Sequence, residues 1–171
     1  MQIKVELCPP EEWESMVKIF TEMKDHYYGK GIIQKSLMKN YLCNHLFHRL
    51  SGTLVIRAHT DSSITGLACC SILYPSPRYS GQLHIKELYV SQSARSKGIG
   101  KSIMQFIARL ALQRECRSLS WNAEKSNSGA NSFYQSLGGK VNDDIVSYAL
   151  HGEGLNKLAL YGSAEPCNPG D

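Results

Sequence analysis

The sequence has no apolar run near the ~20 residues that a membrane-spanning helix needs, so no helical span and no membrane partner is expected. It has no internal repeats and no low-complexity tract, which sets aside solenoids and disordered linkers. Its six cysteines, Cys8, Cys43, Cys69, Cys70, Cys116 and Cys167, form no CxxC pair. Cys69 and Cys70 would face opposite sides of one strand. Buried reduced thiols fit better than a disulfide framework or a zinc cluster. His45 and His48 share a helical face near Cys43, but no carboxylate or second ligand pair completes a site, so no metal is expected. Basic residues outnumber acidic ones only 19 to 15. They are dispersed, with no aromatic-interleaved stripe, so nucleic acid is not an expected partner. Met1-Gln2-Ile3-Lys4-Val5-Glu6-Leu7 reads as a strand, not as a charged-then-apolar signal peptide. The expected location is cytoplasmic.

What the chain does have suits one compact domain. At 171 residues it is long enough for a real core and short for two. Ile3, Val5 and Leu7 alternate as in a strand, which stops at Cys8-Pro9-Pro10. Pro10 opens a helix with Glu11, Glu12 and Glu14 in its first turns, where acids suit the dipole. Trp13, Met16, Val17, Phe20 and Met23 follow at helical spacing. Gly29-Lys30-Gly31 breaks that helix, and a second spans Gln34 to Leu50. Strands are expected at Thr53 to His59, Ile64 to Leu73 and Gln82 to Val90. Ile99, Ile103, Phe106, Ile107 and Leu110 form the stripe of a helix lying on a sheet. A further strand over Ser118 to Asn122, a helix over Ser128 to Leu137, and strands over Gly139 to Leu150 and Lys157 to Leu160 complete the pattern. Residues 1–161 are expected to form a single domain, and 162–171 a frayed tail.

The stretch Arg95-Ser96-Lys97-Gly98-Ile99-Gly100-Lys101 sits between a strand and a helix. Glycine lets the main chain approach an anion without a Cβ in the way. The first amides of a helix have no internal partner, and the dipole adds positive charge there. Arg95, Lys97 and Lys101 surround the turn. A diphosphate fits; a plain helix start after a tight turn uses the same residues. Two familiar phosphate patterns fail. The dinucleotide fingerprint G-x-G-x-x-G meets Ile103 at its last position. The P-loop needs a glycine where Arg95 stands.

Arg95, Gly98 and Gly100 match R/Q-x-x-G-x-G/A, which resembles the acetyl-CoA loop of the GNAT superfamily of acetyl-CoA-dependent N-acetyltransferases. A second segment, Asn127-x-x-Ala130-x-x-Phe133-Tyr134-x-x-x-Gly138-Gly139, is similar to the family's later motif. Gly139 stands where an aromatic often follows. The resemblance covers about residues 50 to 150. It implies an α/β fold: a mixed, mostly antiparallel sheet of about six to seven strands, splayed at the cofactor slot, with helices on both faces. It implies acetyl-CoA as cosubstrate, bound by Leu88, Tyr89 and Val90, by Arg95, Ser96, Lys97, Gly98, Ile99, Gly100 and Lys101, and by Asn127, Ala130 and Tyr134. Dimers are common in the family, which leaves a homodimer open.

The implied chemistry is attack of a free amine on a thioester, directly, in a ternary complex. The amine must lose a proton, the carbonyl oxygen must be stabilised, and the thiolate must be protonated. A backbone amide near Leu88 to Val90, beside a strand bulge, is expected to serve the oxygen. Tyr134 is the candidate acid and Tyr89 a wall. His84 and Glu87 are the candidates for base, directly or through water. Lys86 occupies the place of the carboxylate sought in polyamine acetyltransferases. Asp25, Tyr27, Tyr28 and Lys86 are candidate acceptor contacts, with the segment Tyr74-Pro75-Ser76-Pro77-Arg78-Tyr79. These residues also fit an ordinary exposed loop. The expected acceptor is a small-molecule amine such as a polyamine or amino acid. The alternatives are a protein lysine or N-terminus, or a non-catalytic acyl-CoA-binding module.

Overall fold

The computed structural model describes residues 3–61 and 63–161. The tail expected at 162–171 lies outside them, as does Cys167. The chain divides into two compact units, Met1–Asn131 and Ser132–Asp171.

In the first unit, β1 (Lys4–Leu7), β2 (Thr53–His59), β3 (Ile64–Ser76), β4 (Ser80–Val90) and β5 (Cys116–Trp121) form one five-stranded sheet in chain order. The first four strands are antiparallel. β5 lies parallel to β4 and is reached through α3 (Ile99–Gln113), since parallel neighbours need a crossover. β3 is central, and Gly66 to Cys70 are all buried because both faces are covered.

One face packs against helix. The Pro10–Met16 segment is a 3-10 turn that runs into α1 (Val17–Tyr28). Met16, Ile19, Phe20 and Met23 meet Val55, Leu67, Cys69 and Tyr89 of the sheet, with Met38 of α2 (Lys35–Tyr41). The long second helix expected to Leu50 is cut short: Leu42–Leu46 widens into a π turn. Asn, His and Cys, all weak helix formers, occupy that stretch. On the opposite face α3 buries Ile99, Ile103, Met104, Ile107 and Leu110. Gly66 lets it come close, because a Cβ there would stand 2.9 Å from Ile103 Cδ1 and 3.1 Å from Ile99 Cγ2.

An ion network ties β1 and β2 to the 3-10 turn. Arg57 donates to Glu6 Oε1 at 2.7 Å and to Glu12 Oε2 at 2.5 Å, and Lys4 reaches Glu6 Oε2 at 2.5 Å. The Lys4 ammonium first, then the Arg57 guanidinium, hold the Glu6 carboxyl down to about 2 against opposing desolvation.

The boundary between the units falls within α4 (Ser128–Ser136), which is followed by Gly138, whose φ is +86°. Neither strand expected beyond it is found among the described residues. Residues 139–150 carry no regular structure, and Asn142 Oδ1 accepts from Asp144 N at 3.3 Å, turning the chain where a strand would continue. Residues Glu153–Leu160 form a helix, α5. Leu155 and Leu158 are three apart, a helical spacing, and the segment is rich in Leu, Ala, Glu and Lys. Among the described residues the sheet therefore has five strands rather than six or seven.

Candidate functional site

Two features of β4 open the sheet. Cys69 pairs with Glu87 but Cys70 pairs with Ile85, so Lys86 is an extra, bulged residue. Pairing with β5 ends at Ile85 opposite Trp121, while β4 runs on to Val90. Lys86 to Val90 thus have no strand beside them on that side among the described residues. Ser91 N donates to Thr65 O at 2.9 Å. By antiparallel alternation the main-chain groups of Tyr89 face β3, and those of Leu88 and Val90 face the opening. Arg95 Nε donates to Val90 O at 3.2 Å from that side.

Immediately after β4 the chain makes a 3-10 turn, Gln92–Ala94, then enters the glycine stretch. Ser96 and Gly98 have φ of +61° and +79°, the left-handed region that glycine enters without strain. The first bond inside α3 is Ser102 N to Gly98 O at 3.0 Å, and no side chain among the described residues caps the helix. The amides of Ile99, Gly100 and Lys101 therefore lack intrahelical partners. Gly98 is exposed and a Cβ there would meet nothing within 4 Å, so open space lies beside the start of the helix. Lys97 Nζ donates to Ser93 O at 3.0 Å, while Lys101 is exposed. An uncapped helix N-terminus ringed by cations, beside an open strand edge, suits a diphosphate carrying an extended amide-bearing arm.

A polar hub built from α1 supports this turn. Glu22 accepts from Tyr89 Oη at 3.1 Å, Ser91 Oγ at 2.8 Å and Gln92 N at 3.0 Å. Burial works against its charge, but these donors prevail and hold the carboxyl below its ordinary value. One helical turn on, His26 Nε2 lies 3.4 Å from Arg95 Nη2, and Arg95 Cζ sits 5.7 Å from the Tyr89 ring centroid. Glu22 and His26 carry no sequence motif. Their only signal is a position, four apart, on the rim of the Ile19–Met23 stripe.

The bulge also decides which candidate bases meet. His84 pairs with Ser71 and Glu87 with Cys69, so both lie on the face covered by α1 and α2, although three residues apart. His84 Nδ1 is 2.9 Å from Ser120 Oγ. Burial, then the Lys86 charge, lowers its pKa and favours the neutral imidazole. Lys86 is exposed on the bulge. Cys69 and Cys70 flank this place, but burial pushes both thiols up, Cys70 to about 12. Neither supplies a thiolate nucleophile near neutral pH.

The acceptor candidates are only partly committed elsewhere. Asp25 Oδ1 accepts from Gly31 N at 3.1 Å and closes the loop after α1. Tyr27, Tyr28, Tyr74 and Tyr79 are exposed, and Lys24 Nζ lies 5.3 Å from the Tyr28 ring centroid. Asn127 Oδ1 accepts from Ala130 N at 3.0 Å, an N-cap for α4. Tyr134 lies farther along α4 with its ring 5.2 Å from that of Phe133. Among the described residues no three His, Cys, Asp or Glu side chains gather as a metal site would need. No helix among them is long and apolar enough to cross a membrane.

A sequence model described as the acetyltransferase (GNAT) family matches residues 13–139. The structure is similar to an integron cassette protein from the mobile metagenome of V. cholerae, at 36% identity and a TM-score of 0.89, covering 93% of this chain and 98% of that one. It is also similar to an aminoglycoside acetyltransferase from an uncultured soil metagenomic sample, solved with sisomicin, at 16% identity and a TM-score of 0.71, covering 87% and 95%. A ribosomal-protein-alanine N-acetyltransferase from Brucella melitensis biovar Abortus 2308 aligns at 16% identity and a TM-score of 0.71, covering 88% and 100%. Similarity at 16% identity shows a shared fold and nothing of the acceptor. No curated protein matches the sequence.

Proposed function

The chain belongs to the GNAT family of acetyltransferases, and on that premise we propose that it moves the acetyl group of acetyl-CoA to a primary amine on a small molecule. The observation that carries the reading is the opening beside Leu88 and Val90, which leads directly to the uncapped N-terminus of α3. The residues present fit the cofactor: peptide groups at a strand edge suit its amide-bearing arm, and the amides of Ile99, Gly100 and Lys101 suit its diphosphate.

When bound, acetyl-CoA supplies an acetyl group already activated as a thioester. The chain's own part is positional and electrostatic. The Leu88 and Val90 amides donate toward the opening and can stabilise charge as it develops on a carbonyl oxygen. His84, whose neutral form burial favours, takes the amine proton directly or through water, and Ser120 fixes its ring. Glu87, on the same face, attracts the ammonium form of the acceptor. Tyr134 enters from its motif alone, as donor of a proton to the departing thiolate. The raised Cys69 and Cys70 thiols support direct transfer over an acyl-cysteine route.

The test is acetyl-CoA binding by calorimetry on the wild type and on Gly98→Glu, followed by an amine screen. Micromolar binding, abolished by the carboxylate, is expected. A folded wild type that binds no acetyl-CoA overturns the reading. Tyr134→Phe should lower kcat while leaving cofactor affinity unchanged; unaltered turnover removes Tyr134 from the mechanism.

A further inference from the structure

We propose that Glu22 is the positioning residue that sets the shape of the cofactor turn, an inference that rests on the acetyl-CoA reading above. Its carboxylate is the meeting point of three donors drawn from the end of β4 and the residues that follow it. Tyr89 Oη donates at 3.1 Å and Gln92 N at 3.0 Å, while Ser91 Oγ lies 2.8 Å from one carboxylate oxygen and 3.0 Å from the other. Ser91 is fixed on its other sides too: its N–H donates to Thr65 O at 2.9 Å, and its carbonyl accepts from Ala94 N at 2.8 Å. The chain is thus pinned on the residues that immediately precede Arg95. The same helix holds Arg95 itself, through His26 at 3.4 Å.

A carboxylate is an unexpected choice here. Beside a diphosphate site its negative charge opposes the ligand, at a cost that grows as solvent is excluded. A purely structural role would be served as well by an apolar residue extending the Ile19 and Met23 stripe. What only an acceptor can do is draw the Gln92 amide and the Ser91 and Tyr89 hydroxyls inward. That leaves the later amides, Ile99 to Lys101, as the group turned toward the ligand. Three donors to one carboxylate are also charge-assisted, so the turn is held before the ligand arrives and the ordering cost of binding falls.

Two assays test this on the full chain: acetyl-CoA calorimetry, and steady-state kinetics with whichever amine the screen identifies. Thermal unfolding runs beside them. Glu22→Ala should weaken acetyl-CoA binding about tenfold, the scale of losing one or two hydrogen bonds to a charged group. The KM for acetyl-CoA should rise in step, with kcat at saturating cofactor and the KM for the amine within about twofold of wild type. Glu22→Gln keeps an acceptor oxygen and should fall between, at about two- to threefold. It carries the test if the alanine variant unfolds. A folded Glu22→Ala, or a folded Glu22→Gln where alanine unfolds, that binds acetyl-CoA like the wild type overturns the proposal. So does a variant that loses kcat and amine affinity with cofactor affinity intact. A wild type that binds no acetyl-CoA brings down the underlying reading, and that result is seen before any Glu22 variant is compared.

Discussion

Gly66→Ala should loosen the seat of α3 and so the cradle at its N-terminus. The added Cβ would lie 2.9 Å from Ile103 Cδ1, 3.1 Å from Ile99 Cγ2 and 3.3 Å from Tyr89 O. Ile103 is fully buried and Ile99 nearly so, so neither side chain has free space to rotate into. Overpacking of this kind costs about 1–3 kcal/mol. A stiffer unfolded chain returns about 0.4–1 kcal/mol of that. The net loss is then about 1–2 kcal/mol, which for a chain of this size lowers Tm by roughly 2–8 °C. Because α3 must shift from its first turn outward, acetyl-CoA affinity should fall as well.

The reasoning has a sharper check in a double-mutant cycle. Ile103→Val removes the Cδ1 atom that makes the shortest contact, and alone should cost about 0.5–1.5 kcal/mol. If the steric account is right, Gly66→Ala with Ile103→Val is more stable than the sum of the two losses, by about 1 kcal/mol. Chemical denaturation of the four proteins measures this. Strict additivity would refute the claim that Gly66 is there to admit Ile103.

At Gly98, by contrast, the cost is backbone and not contact: Gly98→Ala puts a Cβ into open space but at φ +79°, so about 1–2 kcal/mol of stability is expected to go, read by thermal unfolding. The Glu6 carboxyl, held at about 2, has a folded pKa below its unfolded one. Its contribution is therefore full above the ordinary carboxylate range near 4.3 and is lost as pH falls toward 2. Tm curves of wild type and Glu6→Gln should run parallel above pH 5 and converge below pH 4; a constant gap would show that the charge is not what Glu6 supplies. For turnover, the lowered His84 pKa places the base limb of the pH–rate profile below 6.5. His84→Gln should flatten that limb and lower kcat, and an unchanged profile would remove His84 as the base.

The parts legible in the sequence were those fixed by neighbours along the chain. Gly98 and Gly100 at the start of the Ile99-Ile103-Ile107 stripe announce a helix start with bare amides, because cap, turn and stripe are all local. The strand readings over Thr53 to His59 and Ile64 to Leu73 matched for the same reason. The reading at Lys157 to Leu160 failed because four residues fit either period. Glu153, Leu155 and Leu158 settle it as helix only when a longer window is read.

What stayed hidden depends on residues far apart in the chain. Glu22 meets Ser91 across 69 positions, and nothing in α1's own pattern separates it from any other polar rim residue. The bulge at Lys86 is the clearer case. Strict alternation along β4 puts His84 and Glu87 on opposite faces, which would leave a base and a charge with no shared substrate. One unpaired residue reverses that parity, bringing both onto the α1–α2 face while pairing with β5 ends beside it. The register shift therefore assembles the side chains next to the place where β5 leaves β4. Deleting Lys86 should restore alternation, turn either His84 or Glu87 to the α3 face and remove transfer even where acetyl-CoA still binds. A deletion variant that folds, binds and turns over like the wild type would show that the bulge shapes the sheet and not the reaction.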